Sequence, residues 1–346
     1  MKNRCAEGAM ACVGAVIGAG FASGREIMTF FTRYGPHSWW LILLSAATMA
    51  LLCALCMREA SKSGTVSWCA LYQKCGKAVR LGSRLCVTLL MAITGGAMVS
   101  ASGHMVALVW PSEWAYPIGA VGTLTLAWIL GFGTMKPLTV VSGVLTAVFM
   151  LAVLMVLACE PPAERVASLA APVSFGETAW AAVRAVAYAA MNLTIAIGVI
   201  CKGSRRSPRG VCRLSVGFGM VLVGMLFVSN YLYAKHPELT DEAFPMVRLL
   251  SGFGRAGFLA SVLMMYLAIF TTLIAIVCTL RNAVDAHVKS PALSAIVTMG
   301  LPLAISTVGF SEIVGSLYAP AGLCCLALVF APLWVARMRA SRQKSP

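Results

Sequence analysis

Charge is scarce in this sequence. Asp, Glu, Lys and Arg together make up 11% of 346 residues, against about a quarter in soluble globular domains, and that deficit excludes an ordinary water-soluble fold. With 60% apolar residues and a mean hydropathy of +0.85, the chain is expected to be an all-α membrane protein with many spans. Acids are the rarer sign, 12 against 27 basic residues, for a net charge of +15. In a soluble chain that excess would point to nucleic acid. Here the basic residues fall between apolar segments and act as topology determinants, so no nucleic-acid partner is implied.

Other absences narrow the function. The sequence contains no H-E-x-x-H, no G-x-S-x-G and no paired acids inside an apolar segment, which argues against an intramembrane enzyme. Of the four histidines only His104 falls within a span, where a hydrogen-bonded packing role outweighs metal ligation. Thirteen cysteines, an odd number spread mostly through apolar segments, do not form a disulfide framework. Cys53 and Cys56 have C-x-x-C spacing but lack a second pair of ligands, a weak signal for zinc or redox chemistry. Lys2 and Arg4 precede an apolar run in the manner of a signal peptide, yet the run continues through Arg25 and Glu26 without a cleavage site. It reads as a retained span.

A helix needs about 20 apolar residues to cross the hydrocarbon core. Cutting at charged and Pro/Gly-rich breaks gives spans at 6–31, 39–57, 85–110, 117–132, 138–158, 178–201, 211–233, 257–280, 291–308 and 313–335. With ten spans, twenty of the 27 basic residues collect on one side and five on the other, leaving Arg25 and Arg184 within spans. That asymmetry places both termini in the cytoplasm. Ten spans divide into five and five, about 6–158 and 178–335, within one transmembrane domain covering 1–346. An odd number per half requires any repeat to be inverted.

The first span carries Gly14, Gly18, Gly20 and Gly24 within eleven residues, each costing about 1 kcal/mol against alanine in a helix. Such a run suits a helix broken inside the membrane, with a half-helix from near Ser23 turning its N-terminus toward the gap. Gly14 with Gly18 and Gly20 with Gly24 also match small-residue helix packing. Arg25 and Glu26, directly after the glycines, favour the broken helix, because intramembrane charges normally face a partner or cavity. Span 6, the counterpart, carries Arg184, Tyr188, Asn192 and Thr194 and is expected to be broken as well. Local bonding of Asn192 and Thr194 is the alternative. Arg25, Glu26 and Arg184 reach similar depth and form a candidate outer gate with a Glu26–Arg184 pair, unless the arginines reach the lipid headgroups instead. Residues 67–81 suit a cytoplasmic interfacial helix, and residues 235–255 suit either a lid or a solvated loop.

The run G-A-V-I-G-A-G-F-A-S-G-R-E from Gly14 to Glu26 resembles the signature of YkvI-type bacterial membrane proteins, a branch of the amino acid-polyamine-organocation transporters. The resemblance implies the LeuT-type fold of ten helices in a 5+5 inverted repeat, with spans 1 and 6 broken, in the bacterial cytoplasmic (inner) membrane. It implies a substrate site at Gly18, Ala19, Gly20, Phe21, Ser23, Tyr188 and Asn192, where backbone groups meet an anionic part of a small solute. Thr271 and Thr272, with carbonyls at Gly14 and Ile17, resemble a sodium site. Some relatives that use protons place a lysine from span 5 at this ion site, and span 5 here has no charge, which favours sodium. The expected activity is therefore sodium-coupled symport of a solute such as an amino acid, without a cofactor. A ligand-sensing receptor on the same scaffold is the alternative.

Overall fold

In a bilayer an apolar run must satisfy its own backbone, and a helix does so unaided. The computed structural model describes residues 12–14, 16–63, 68–73, 75–131, 136–159, 175–202, 208–285 and 290–342, which are almost entirely helical. Residues 12–14 and 16 lead into two short helices, α1 (Ala19–Ser23) and α2 (Arg25–Phe30), and a 3-10 segment, Thr32–His37. Then come α3 (Ser38–Ser63), a 3-10 turn at Trp68–Tyr72, α4 (Lys77–Val109), α5 (Ala115–Leu130) and α6 (Lys136–Cys159). The second half contains α7 (Phe175–Lys202), α8 (Pro208–Ala234), a 3-10 turn at Pro237–Leu239, α9 (Pro245–Ser251), α10 (Gly254–Asp285) and α11 (Pro291–Ser306). It ends in α12 (Phe310–Glu312), α13 (Tyr318–Cys325) and α14 (Ala331–Arg342), joined by π-helical segments at Ile313–Leu317 and Leu326–Phe330.

Seven of the described helical segments are long and apolar enough to cross a membrane, and α5 and α11 are shorter apolar helices. They sort into two groups. In one, α4 packs against α5, α10 and α11; in the other, α7 packs against α3 and α13, and α3 also against α8. The short helices lie between them, α1 against α10 of the first group and α2 against α7 and α8 of the second.

Two local expectations are corrected. Span 6 is not broken: α7 runs for 28 residues as one helix. Asn192 donates to the Tyr188 carbonyl at 3.1 Å and Thr194 to the Ala190 carbonyl at 2.7 Å, so their side chains serve their own helix. The middle of α7 contains neither glycine nor proline, and nothing there forces a break. Residues 67–81 do not form one interfacial helix either. Gly76, at ψ 159°, ends the connection and starts α4 at Lys77, leaving only the 3-10 turn at Trp68–Tyr72.

That turn has a structural task. The Tyr72 hydroxyl donates to the Val329 carbonyl, at 2.7 Å, inside the second π-helical segment. Arg184 of α7 meets the first in the same way, donating to the Gly315 carbonyl at 3.4 Å. The connection of residues 237–251 is docked rather than solvated: Leu239, Phe244, Met246, Val247 and Leu250 are buried. Phe244 stacks on Phe310 with ring centroids 5.0 Å apart.

Candidate functional site

The first span is interrupted twice. The Ile17 amide still reaches the Val13 carbonyl, at 2.8 Å, but the Gly18 amide turns to Val16, at 3.0 Å, instead of to the Gly14 carbonyl four residues back. Gly18 is extended, at φ −97° and ψ −166°, and α1 starts at Ala19 rather than near Ser23. One turn later Gly24, at φ +83°, ends α1. This left-handed conformation costs a residue with a side chain about 1–2 kcal/mol. A Cβ on Gly24 would also lie 2.4 Å from the Tyr233 ring, so the position is restricted twice over. Ser23 seals the turn, donating to the Gly20 carbonyl at 2.7 Å and accepting from the Arg25 amide at 3.1 Å.

Beside the first break lies a cavity of about 20 Å³ lined by Ile17, Gly18, Ser142, Thr146, Thr271 and Thr272, among others. It has room for about one water or ion. Both threonines of α10 donate to the Ala268 carbonyl, at 3.1 Å from Thr271 and 2.7 Å from Thr272. Their hydroxyl oxygens keep a free lone pair. Phe149 of α6 closes the cavity edge-on against Phe21, with centroids 5.6 Å apart. Gly14 is not in this lining; a Cβ there would sit 3.3 Å from the Gly143 backbone, a close helix contact of the kind its spacing also allows.

At the second break the charges part company. Arg25 extends away from the core and donates to the carbonyls of Thr240 and Glu242 in the docked connection. Glu26 turns inward and is only 5% exposed. Its carboxyl lies within electrostatic reach of the Tyr188 hydroxyl and sits over Gly20, where a Cβ would be 1.7 Å from Oε1. Tyr188 is held by Phe30 and Phe31, at centroid distances of 4.9 and 5.2 Å. Arg184 packs over the Phe30 ring, 5.4 Å from its centroid.

The structure thus brings Gly18 together with Ile17, Thr271 and Thr272, and Gly20 together with Glu26 and Tyr188. Ala19, Phe21 and Ser23 are buried in α1 between the two clusters. Asn192 is buried with its amide engaged in α7. The expected Glu26–Arg184 ion pair is absent from this conformation, because the left-handed turn at Gly24 aims Glu26 at Gly20 while Arg184 serves the π-helical carbonyl. Sequence reasoning missed Ser142 and Thr146, small hydroxyl residues in the apolar run of α6, and Tyr233, which follows Asn230 near the end of α8; only their helix registers could have exposed them.

No family model matches the chain. A curated relative, the uncharacterized membrane protein YkvI of Bacillus subtilis (strain 168), is 24% identical over 339 residues, spanning 96% of each chain. The chain is similar to YkvI over almost its whole length. Among solved structures, an inward-facing conformation of Mhp1 matches 95% of this chain and 74% of its own, with a TM-score of 0.60 and 13% identity. A manganese transporter of Eremococcus coleocola matches over 99% of this chain and 72% of its own, with a TM-score of 0.50 and 14% identity. Similarity at such low identity establishes the fold alone, which is the LeuT-type fold.

Proposed function

We propose that this YkvI-like protein is a secondary active transporter that moves a small solute such as an amino acid across the bacterial cytoplasmic membrane by alternating access. The observation that carries this reading is the interrupted first span lying between two helix groups, with displaced peptide groups beside a cavity. Interrupted helices at the interface of two bodies let one body rock against the other around a fixed site. The docked outer connection and the Arg25 contacts close one side in the state shown here.

The ten crossings read from the sequence form two inverted halves, about 6–158 and 178–335, with both termini cytoplasmic. Helix lengths support the pairing: α3 and α8 have 26 and 27 residues, α4 and α10 have 33 and 32, and α5 and α11 have 16 each. The substrate site consists of Gly18, Ala19, Gly20, Phe21 and Ser23 with Tyr188 and Asn192 opposite. Sodium is the coupling ion, held by the Thr271 and Thr272 hydroxyls and the carbonyls of Gly14 and Ile17. A hard cation of this kind is satisfied by neutral oxygens; the cavity at Gly18 supports the placement of Ile17, Thr271 and Thr272, while Gly14 lies outside its lining. Arg25, Glu26 and Arg184 line the outer gate.

The test is a thermal-shift screen of the purified protein against a solute library, with and without sodium, since a ligand that binds only the folded state stabilises it by mass action. A solute of one chemical class that raises the melting temperature more in sodium supports the reading. A library without a single stabilising solute in either salt contradicts it.

A further inference from the structure

An ionised carboxylate buried away from a cation is strongly disfavoured, and Glu26 is such a case. It is 5% exposed, and its side chain fills the volume directly over Gly20. The groups around it can be taken element by element. From α7, the Tyr188 hydroxyl lies within electrostatic reach, while Arg184 donates through Nη2 to the Gly315 carbonyl and packs over the Phe30 ring. From the C-terminal helices, Tyr318 lies within electrostatic reach and Glu312 sits a turn and a half before it. From α8, Tyr233 abuts Gly24, and its buried hydroxyl has no hydrogen-bond partner among the described residues. On its own strand of chain, Arg25 points away from the core to residues 240 and 242, Arg33 stacks on Tyr34, and His37 meets the Trp40 indole. Among the described residues no cation faces the carboxyl. The close approach to Gly20 and the aromatic wall of Phe30, Phe31 and Tyr188 leave a proton as the cation that fits there.

We propose that Glu26 is a proton-binding site linked to the conformational cycle. Its carboxyl is protonated in the closed state shown here, and ionises when α2 separates from α7 and water reaches it. The step is a proton exchange with water: hydronium gives a proton to the carboxylate oxygen and becomes water on closing, and the reverse occurs on opening. Only O–H bonds form and break. The linkage to transport rests on the transporter reading above, whereas protonation of the buried acid does not. A proton site at Glu26 and a cation site at Thr271 and Thr272 would flank α1 on its two sides, so a single span would report on both ions.

Infrared spectroscopy of the full-length protein in lipid reads this directly. At neutral pH the wild type should show the carbonyl stretch of a buried protonated carboxyl, and Glu26→Gln should lack it. Hydrogen exchange, corrected for intrinsic rate, should show residues 19–30 and 237–251 opening in the wild type as pH rises. In Glu26→Gln, which mimics the protonated acid, they should remain protected throughout. Gly20→Ala keeps the acid but takes its place over residue 20, so the band should be lost at a lower pH than in the wild type; this variant carries the test even if Glu26→Gln does not insert. A spectrum unchanged by Glu26→Gln, or a band unmoved by Gly20→Ala, overturns the proposal. The two readings fail separately. A titrating Glu26 band in a protein that no solute stabilises leaves the proton site standing without transport, and a stabilising solute in a protein without that band leaves transport without the proton site.

Discussion

Replacing Gly24 with alanine should destabilise the protein through two separable effects. The backbone there sits at φ +83°, which costs a residue with a Cβ about 1–2 kcal/mol. The new methyl would also lie 2.4 Å from both Cζ and Oη of Tyr233, and overpacking of a buried site adds about 1–3 kcal/mol. The total is about 2–5 kcal/mol, which should lower the melting temperature of the detergent-solubilised protein by several degrees. Tyr233→Leu removes the ring that the methyl strikes, so Gly24→Ala in that background should retain only the dihedral penalty. The double-mutant cycle therefore gives a coupling of about 1–3 kcal/mol between the two positions. A Gly24→Ala protein that melts with the wild type would refute the second break and with it the turn that aims Glu26 at Gly20. Equal penalties in both backgrounds would refute the Tyr233 contact.

Thr271→Ala combined with Thr272→Ala should abolish any stabilisation that sodium gives over potassium or choline at equal ionic strength; sodium at a hundredfold its dissociation constant stabilises by about 2.7 kcal/mol, and an unchanged response would place the ion elsewhere. Tyr72→Phe leaves the buried Val329 carbonyl without its donor, and should cost about 1–3 kcal/mol in a thermal melt, whereas the exposed Tyr231→Phe should be silent. Arg25→Gln should free residues 237–244, seen as faster hydrogen exchange there with exchange in α4 unchanged. Gly20→Leu should abolish solute binding while expression and insertion persist, because the side chain would displace Glu26 and fill the space beside the exposed backbone.

The sequence made the helical content and the first break legible, because each is written in local chemistry. Four glycines followed by Arg25 and Glu26 announce an interruption, and long apolar runs announce the helices. The sequence could not show that the interruption is double, since Gly18 and Gly24 differ only in dihedral angles set by their neighbours. Span 6 was misjudged for a related reason. Asn192 and Thr194 look like polar residues in search of a ligand, but in a helix each can bond the carbonyl four residues back, and the structure uses that outlet. The direction of Glu26 was illegible too: adjacent residues on a helix point about 100° apart, and only the left-handed turn decides that Arg25 reaches the docked connection while Glu26 reaches Gly20. The π-helical segments at Ile313–Leu317 and Leu326–Phe330 have no sequence signature at all, because their carbonyls are met by donors more than a hundred residues away.

The central claim is that the interrupted first span binds a solute and carries it across the membrane. Its most direct test is uptake into proteoliposomes of a solute taken from the thermal-shift screen, under an imposed sodium gradient and with wild-type protein beside Gly20→Leu. Accumulation above the external concentration, dependent on the gradient and lost in Gly20→Leu, is the predicted result. A solute that stabilises the protein but never accumulates under any ion gradient would contradict the claim and identify a receptor on a transporter fold.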